Sequence, residues 1–270
     1  MSDGSLKRII GDEFSAWMNS RGLLLFGLVF AALLAGVAVG SGSGAGGLSE
    51  QLFFSMLVQL FHLCLLLVVP MAVLMTSLSL CGQDGMEVEQ GSWLSARMIG
   101  LFLALVVVLC PGLGMAGIVM ALRVDLAGIS HYFFLVGLVL LIGLIFISLT
   151  GLIAVFVRRR GRAIVLGLLV WLFFLILHDG LVVAGAVSFG DAWRGSLLSW
   201  ALLGNPMDLA GIVLVMLTGD EGSLGVAGAG LLRQVGGPVM GLLVAGAIFL
   251  AWIMVPLGLV TWFLSGRKKR

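Results

Sequence analysis

Between Lys7 and Lys268 the chain carries no lysine. A Walker A loop needs one directly after its glycine-rich turn. ATP hydrolysis of the P-loop kind is therefore excluded from this polypeptide; if the system uses ATP, another subunit binds it. Charge of either sign is scarce, with 10% of residues charged against 61% hydrophobic. A soluble core of this length does not need so much apolar material, so the chain is a polytopic membrane protein. The cysteines, Cys64, Cys81 and Cys110, form no C-x-x-C pair, which argues against a disulfide framework. Only three histidines occur, with no H-E-x-x-H motif and no pair at helical ligand spacing. There is no G-x-S-x-G elbow and no repeat of about 34 or 40 residues. No catalytic residue, no bound metal, no cofactor and no nucleic-acid partner is expected of this chain.

What is present is a series of long apolar runs, rich in the glycine that lets helices approach closely in lipid. The fold expected is all-α, a single membrane domain over 1–270 with six transmembrane helices at about 22–40, 52–80, 98–122, 132–157, 163–187 and 239–264. Pro70 and Pro111-Gly112 should bend spans two and three. Ahead of span one, Leu6, Ile9, Ile10, Phe14 and Trp17 follow helical spacing, with Lys7, Arg8, Asp12 and Glu13 between them. That pattern predicts an amphipathic helix over 1–21, lying along the membrane surface. Residues 188–238 read as an outer loop holding short helices, one of them within the glycine-rich 225–237.

Basic residues set the orientation. With the N-terminus inside, Lys7, Arg8, Arg21, Arg97, Arg158, Arg159, Arg160, Arg162, Arg267, Lys268, Lys269 and Arg270 are cytoplasmic, and only Arg123, Arg194 and Arg233 lie outside. This is a strong positive-inside signal. Six spans place both termini in the cytoplasm, which is self-consistent, and the expected location is the inner membrane. The arginines at 158–162 either anchor the chain to anionic lipid or meet an acidic cytoplasmic partner.

The segment best specified locally is Asn205-Pro206-Met207-Asp208. Asn205 is a good N-cap, Pro206 suits the first helical position, and Asp208 favours the positive helix end. The helix should stop near Gly219. About 12 residues make roughly 18 Å of helix, against a hydrocarbon core of roughly 30 Å. Such a helix is either re-entrant or a short surface helix in a large loop. Within span five, His178 and Asp179 are ionisable groups in an apolar run, which are expensive and often functional. Adjacent residues on a helix point about 100° apart, so each would need a partner from another span, such as His62; alternatively Asp179 is simply hydrated near the outer end. Met56, His62, Cys64, Met71 and Met75 are ligand types that Cu(I) accepts. Their spacing gives no compact set, and Met and Cys ordinarily fill gaps in apolar helices.

Taken together, the layout resembles the permease subunits of ABC exporters of the second type, and among them the NosY-type permeases of nitrous oxide reductase maturation. Three segments carry the closer resemblance. Residues 14–25, with Asn19-Ser20-Arg21 ahead of the apolar run, look like the family's approach to span one. Glu87-Val88-Glu89-Gln90-Gly91-Ser92 resembles its acidic stretch followed by Gly-Thr. Leu203-Gly204-Asn205-Pro206-Met207-Asp208 resembles its Leu-x-Asn-Pro-x-Asp segment. The resemblance implies a cytoplasmic ABC ATPase subunit that binds ATP, a second permease copy or paralogue, and a periplasmic subunit serving copper-site assembly. It also implies ATPase coupling through Glu87, Glu89, Gly91, Ser92 and Arg97, and an outer gating role for the helix at Asn205, Pro206 and Asp208. One departure stands out: in the family the acidic loop continues into a longer cytoplasmic helix, whereas here Trp93 to Arg97 lead almost directly into span three. The rival reading is a membrane anchor or assembly factor that transports nothing.

Overall fold

The computed structural model describes residues 3–40, 50–81, 91–122, 126–188, 191–218 and 224–267, and their regular structure is entirely helical. In chain order the helices are α1 (Asp3–Met18), α2 (Arg21–Gly40), α3 (Glu50–Leu80), α4 (Gly91–Ala121), α5 (Leu126–Val157) and α6 (Arg160–Leu172). A π turn (Phe173–Leu177) leads into α7 (His178–Ser188), followed by α8 (Asp191–Gly204), α9 (Pro206–Thr218), α10 (Gly225–Val235) and α11 (Pro238–Arg267). Six stretches are long and apolar enough to cross a membrane: Arg21–Gly40, Leu52–Leu80, Trp93–Ala121, Ile129–Val157, Arg160–Ser188 and Pro238–Phe263.

These are the six spans expected, with one difference. Helices α4 and α5 begin well before positions 98 and 132, because hydropathy marks where the apolar run starts and not where the helix starts. Trp93 and Arg97 are compatible with helix, and nothing between them breaks it. Helical structure runs on through Pro70 and Pro111.

The chain divides into two compact units, one running to Gly167 and resuming at Ile253, the other covering Leu168–Trp252. In the first unit α2 packs on α4, α3 on α5, α1 on α4, and α4 on α5. Lipid tails are as apolar as leucine, so close packing rather than burial from water holds such helices together. Glycine permits it. A Cβ at Gly112 would lie 2.6 Å from the Phe30 ring, and one at Gly100 would lie 2.9 Å from the Ile10 carbonyl oxygen. The α1 backbone therefore rests directly on α4. The Tyr132 hydroxyl donates to the Leu113 carbonyl and ties α5 to α4. Helix α1 is amphipathic as expected, with Lys7, Arg8 and Asp12 exposed, but Glu13 lies on the packed side, 7% exposed.

In the second unit α7 and α10 pack on α8, which also meets α9. Ser199 Oγ donates to the Ala227 carbonyl (3.2 Å), joining α8 to α10. Helix α10 ends where Gly236 turns left-handed (φ 98°), and the N–H groups of Gly236 and Gly237 both donate to the Leu232 carbonyl. Pro238 then opens α11, the usual order of a glycine stop and a proline start. The apolar ends of α8 and α9, Leu198–Gly204 and Pro206–Thr218, meet at a bend of 109°. The 13 residues of α9 extend about 20 Å, short of the roughly 30 Å of a hydrocarbon core.

Candidate functional site

The bend is built on Asn205. Its Oδ1 accepts from the Met207 N–H (3.0 Å) and its carbonyl accepts from the Leu209 N–H (3.0 Å), so it caps α9, with Pro206 as the first helical residue. The other half of the amide is occupied too. Nδ2 donates to the Phe174 carbonyl at 2.8 Å and to Asp208 Oδ2 at 2.6 Å. Asn205 is 0% exposed, so each of these bonds satisfies a group that water does not reach.

The bond to Phe174 depends on the π turn. The His178 N–H reaches five residues back, to the Phe173 carbonyl. In a regular helix it would serve Phe174, four residues back. The turn diverts that donor, and Asn205 supplies another. Such single π turns recur at functional sites. This one also sets the direction of His178, whose ring stands against Phe173 and Phe174 (centroids 6.2 and 6.5 Å) and whose Nε2 would be 3.6 Å from a Cβ at Gly204.

His178 Nδ1 faces two carboxylates. Asp179 Oδ1 is 3.2 Å away and Asp208 Oδ2 is 3.5 Å away. The adjacent pair thus does meet, despite the angle between neighbouring helical positions. The third member comes from α9, which sequence spacing gave no reason to place there. The three candidate ligand atoms lie within 4.8 Å of one another. Side-chain exposure grades from 14% for His178 through 26% for Asp208 to 59% for Asp179, so the cluster is closed on one side and open on the other. Asn205, Pro206, Asp208, His178 and Asp179, predicted as two separate features, form a single one.

The remaining predicted residues lie in the first unit. His62 is exposed, with Nδ1 2.7 Å from the Val58 carbonyl of its own helix. Gly91 and Ser92 begin α4, while Glu87 and Glu89 lie outside the described residues. Arg97 is the hub of this region. It pairs with Glu13 of α1 (3.1 Å), donates to the Ser79 carbonyl of α3 (3.1 Å) and lies over the Trp93 ring (4.6 Å from its centroid). Glu13 in turn accepts from Trp17 Nε1 at 2.9 Å. Arg160 Nε donates to the Cys81 carbonyl at 2.7 Å. Two arginines from other helices therefore satisfy carbonyls at the C-terminal, negative end of α3. The sequence alone assigns Arg160 to lipid or to a partner and Glu13 to the polar face of the N-terminal helix. The only hint otherwise was that Glu13 precedes Trp17 by one helical turn.

An all-helical, multi-pass membrane protein with a bent helix pair before its last span is the class that these features define. Over nearly its whole length the chain is similar to the probable ABC transporter permease protein NosY of Stutzerimonas stutzeri, with 28% identity over 261 residues, 91% of this chain and 92% of that protein. No family model matches the chain.

Proposed function

We propose that this chain is the membrane-spanning permease subunit of an ABC transport system whose ATPase is a separate polypeptide. The observation that carries the reading is the similarity to the NosY permease over 91% of the chain. Both termini are cytoplasmic and the membrane is the bacterial inner membrane, as the basic residues favour. The subunit works beside a second copy or a paralogue. On the outer side it serves a periplasmic partner, in the manner of copper-site assembly for nitrous oxide reductase.

Coupling to the ATPase runs through α1 and the start of α4. The 31 residues of α4 extend about 46 Å, well beyond a hydrocarbon core of roughly 30 Å. Its first two turns therefore offer a platform at the cytoplasmic surface, following Glu87 and Glu89 in the sequence. That helical extension offsets the apparent shortening of the coupling loop and weakens the anchor reading. Through Arg97 the platform is fixed to Glu13 of α1 and to the end of α3, so a push on the loop moves three helices as one body. Recovery of tagged chain from its native membrane in mild detergent, followed by mass spectrometry, tests the assignment. An ABC ATPase should co-purify; repeated recovery without any nucleotide-binding protein would instead favour a membrane anchor.

A further inference from the structure

We propose that His178 Nδ1, Asp179 Oδ1 and Asp208 Oδ2 form a three-ligand site for a divalent transition-metal ion of the zinc class, assembled where the π turn meets the start of α9. The inference is independent of the permease reading, since it uses only side chains of one compact unit.

Spacing is the first support. Zinc bonds to His nitrogen and carboxylate oxygen of about 2.0–2.1 Å put neighbouring ligand atoms of a tetrahedron roughly 3.3–3.4 Å apart. The nitrogen-to-oxygen separations here, 3.2 and 3.5 Å, bracket that value. A hydrogen bond between His178 Nδ1 and Asp179 Oδ1 (3.2 Å) accounts for one of these contacts but not for the second. One Nδ1–H cannot point along both lines, and 3.5 Å is at the outer limit of a useful hydrogen bond.

Charge is the second support. Among the described residues neither Asp179 nor Asp208 pairs with lysine or arginine, and His178 is the one basic group within ion-pair distance of both. Two carboxylates this close repel unless they share a proton or a cation lies between them. A divalent ion neutralises both, in a chain where uncompensated charge is costly.

The third support is the shell around the ligands. Asn205 Nδ2 donates to Asp208 Oδ2 while anchored on the Phe174 carbonyl, the kind of outer contact that orients a metal-binding carboxylate. The half-exposed side, at Asp179, leaves room for water as the fourth ligand. Nitrogen and oxygen donors without sulfur suit borderline divalent ions rather than Cu(I), and three protein ligands are too few for calcium.

The test is titration of the purified, metal-stripped full chain in nanodiscs with Zn2+, followed by calorimetry. One ion per chain is expected. His178→Ala and Asp208→Asn should each abolish binding. Asn205→Ser, which keeps an N-cap oxygen but loses the amide donor, should weaken it about 10–100-fold. Absence of binding by the parent chain, or equal binding by parent, His178→Ala and Asp208→Asn, would overturn the proposal. Should the variants fail to fold, X-ray absorption of the zinc-loaded parent chain decides the matter. Nitrogen and oxygen neighbours with a single imidazole are expected; sulfur in the first shell, or two imidazoles, would place the ion elsewhere.

Discussion

Both amide hydrogens of Asn205 and both of its oxygens are engaged, and that makes it the residue whose loss should be felt most in the second unit. Asn205→Ala removes the cap of α9, worth about 1 kcal/mol, and strips a donor from the buried Phe174 carbonyl, worth roughly 1–3 kcal/mol. Unfolding of the variant in mixed micelles should therefore show a loss of about 2–4 kcal/mol. Asn205→Asp preserves the cap oxygen but replaces the amide donor by a third carboxylate beside Asp179 and Asp208, so it should fare no better than alanine. A stability equal to that of the parent chain in either variant would mean that the Phe174 contact is dispensable. In the first unit the corresponding residue is Arg97. Arg97→Ala leaves Glu13 with 7% exposure and no cation, and breaking a buried pair costs about 3–5 kcal/mol. Removing both partners, Glu13→Gln with Arg97→Met, should cost less than Arg97→Ala alone, which a double-mutant cycle on unfolding free energy would detect.

At the scale of elements, the π turn and the α1–α4 seam are the two features open to direct test. Deleting Leu175 would restore a regular helical register, in which the His178 N–H still serves the Phe173 carbonyl, now four residues back, and the Asp179 N–H serves the Phe174 carbonyl. Asn205→Ala should then cost about 1 kcal/mol less in the deletion background than in the parent chain; strict additivity would contradict the link between turn and amide. Gly100→Val places a side chain where Ile10 and Glu13 already sit. Overpacking of this kind costs about 1–3 kcal/mol and should lift α1 from α4, raising amide exchange in α1 while leaving α5 protected. How far these elements were legible in the sequence depends on how local their causes are. The cap at Asn205-Pro206 could be read because capping chemistry involves neighbours only. The six spans could be read because apolar length alone defines them. The π turn could not, since Phe173 to Leu177 is an unpunctuated apolar run and the partner of its freed carbonyl, Asn205, lies some thirty residues further on. The start of α4 was placed too late for a related reason: polar residues at a membrane surface continue a helix as readily as they end it.

For the whole molecule, an even number of crossings keeps the two ends of the chain on one side. The bent pair of α8 and α9 is what makes this a question, because counting it as a span would give seven. With α9 re-entrant, a fluorescent reporter fused after Arg270 should mature in the cytoplasm, and alkaline phosphatase at the same point should be inactive. The reverse pattern would make the pair a broken span. The cluster of His178, Asp179 and Asp208 was not legible at any smaller scale. Each residue was visible singly, but only the turn of the chain at Asn205 brings α9 back to α7.

On the proposed permease reading, the work of a separate ATPase reaches the membrane through the helices that Arg97 joins. The most direct measurement is the turnover of the co-purified ATPase, reconstituted in liposomes with the parent chain, with Arg97→Ala, and with the charge swap Glu13→Arg and Arg97→Glu. Turnover should depend on the parent subunit, lose that dependence with Arg97→Ala, and recover in part with the swap. An ATPase rate indifferent to this subunit in all three forms would contradict the permease assignment.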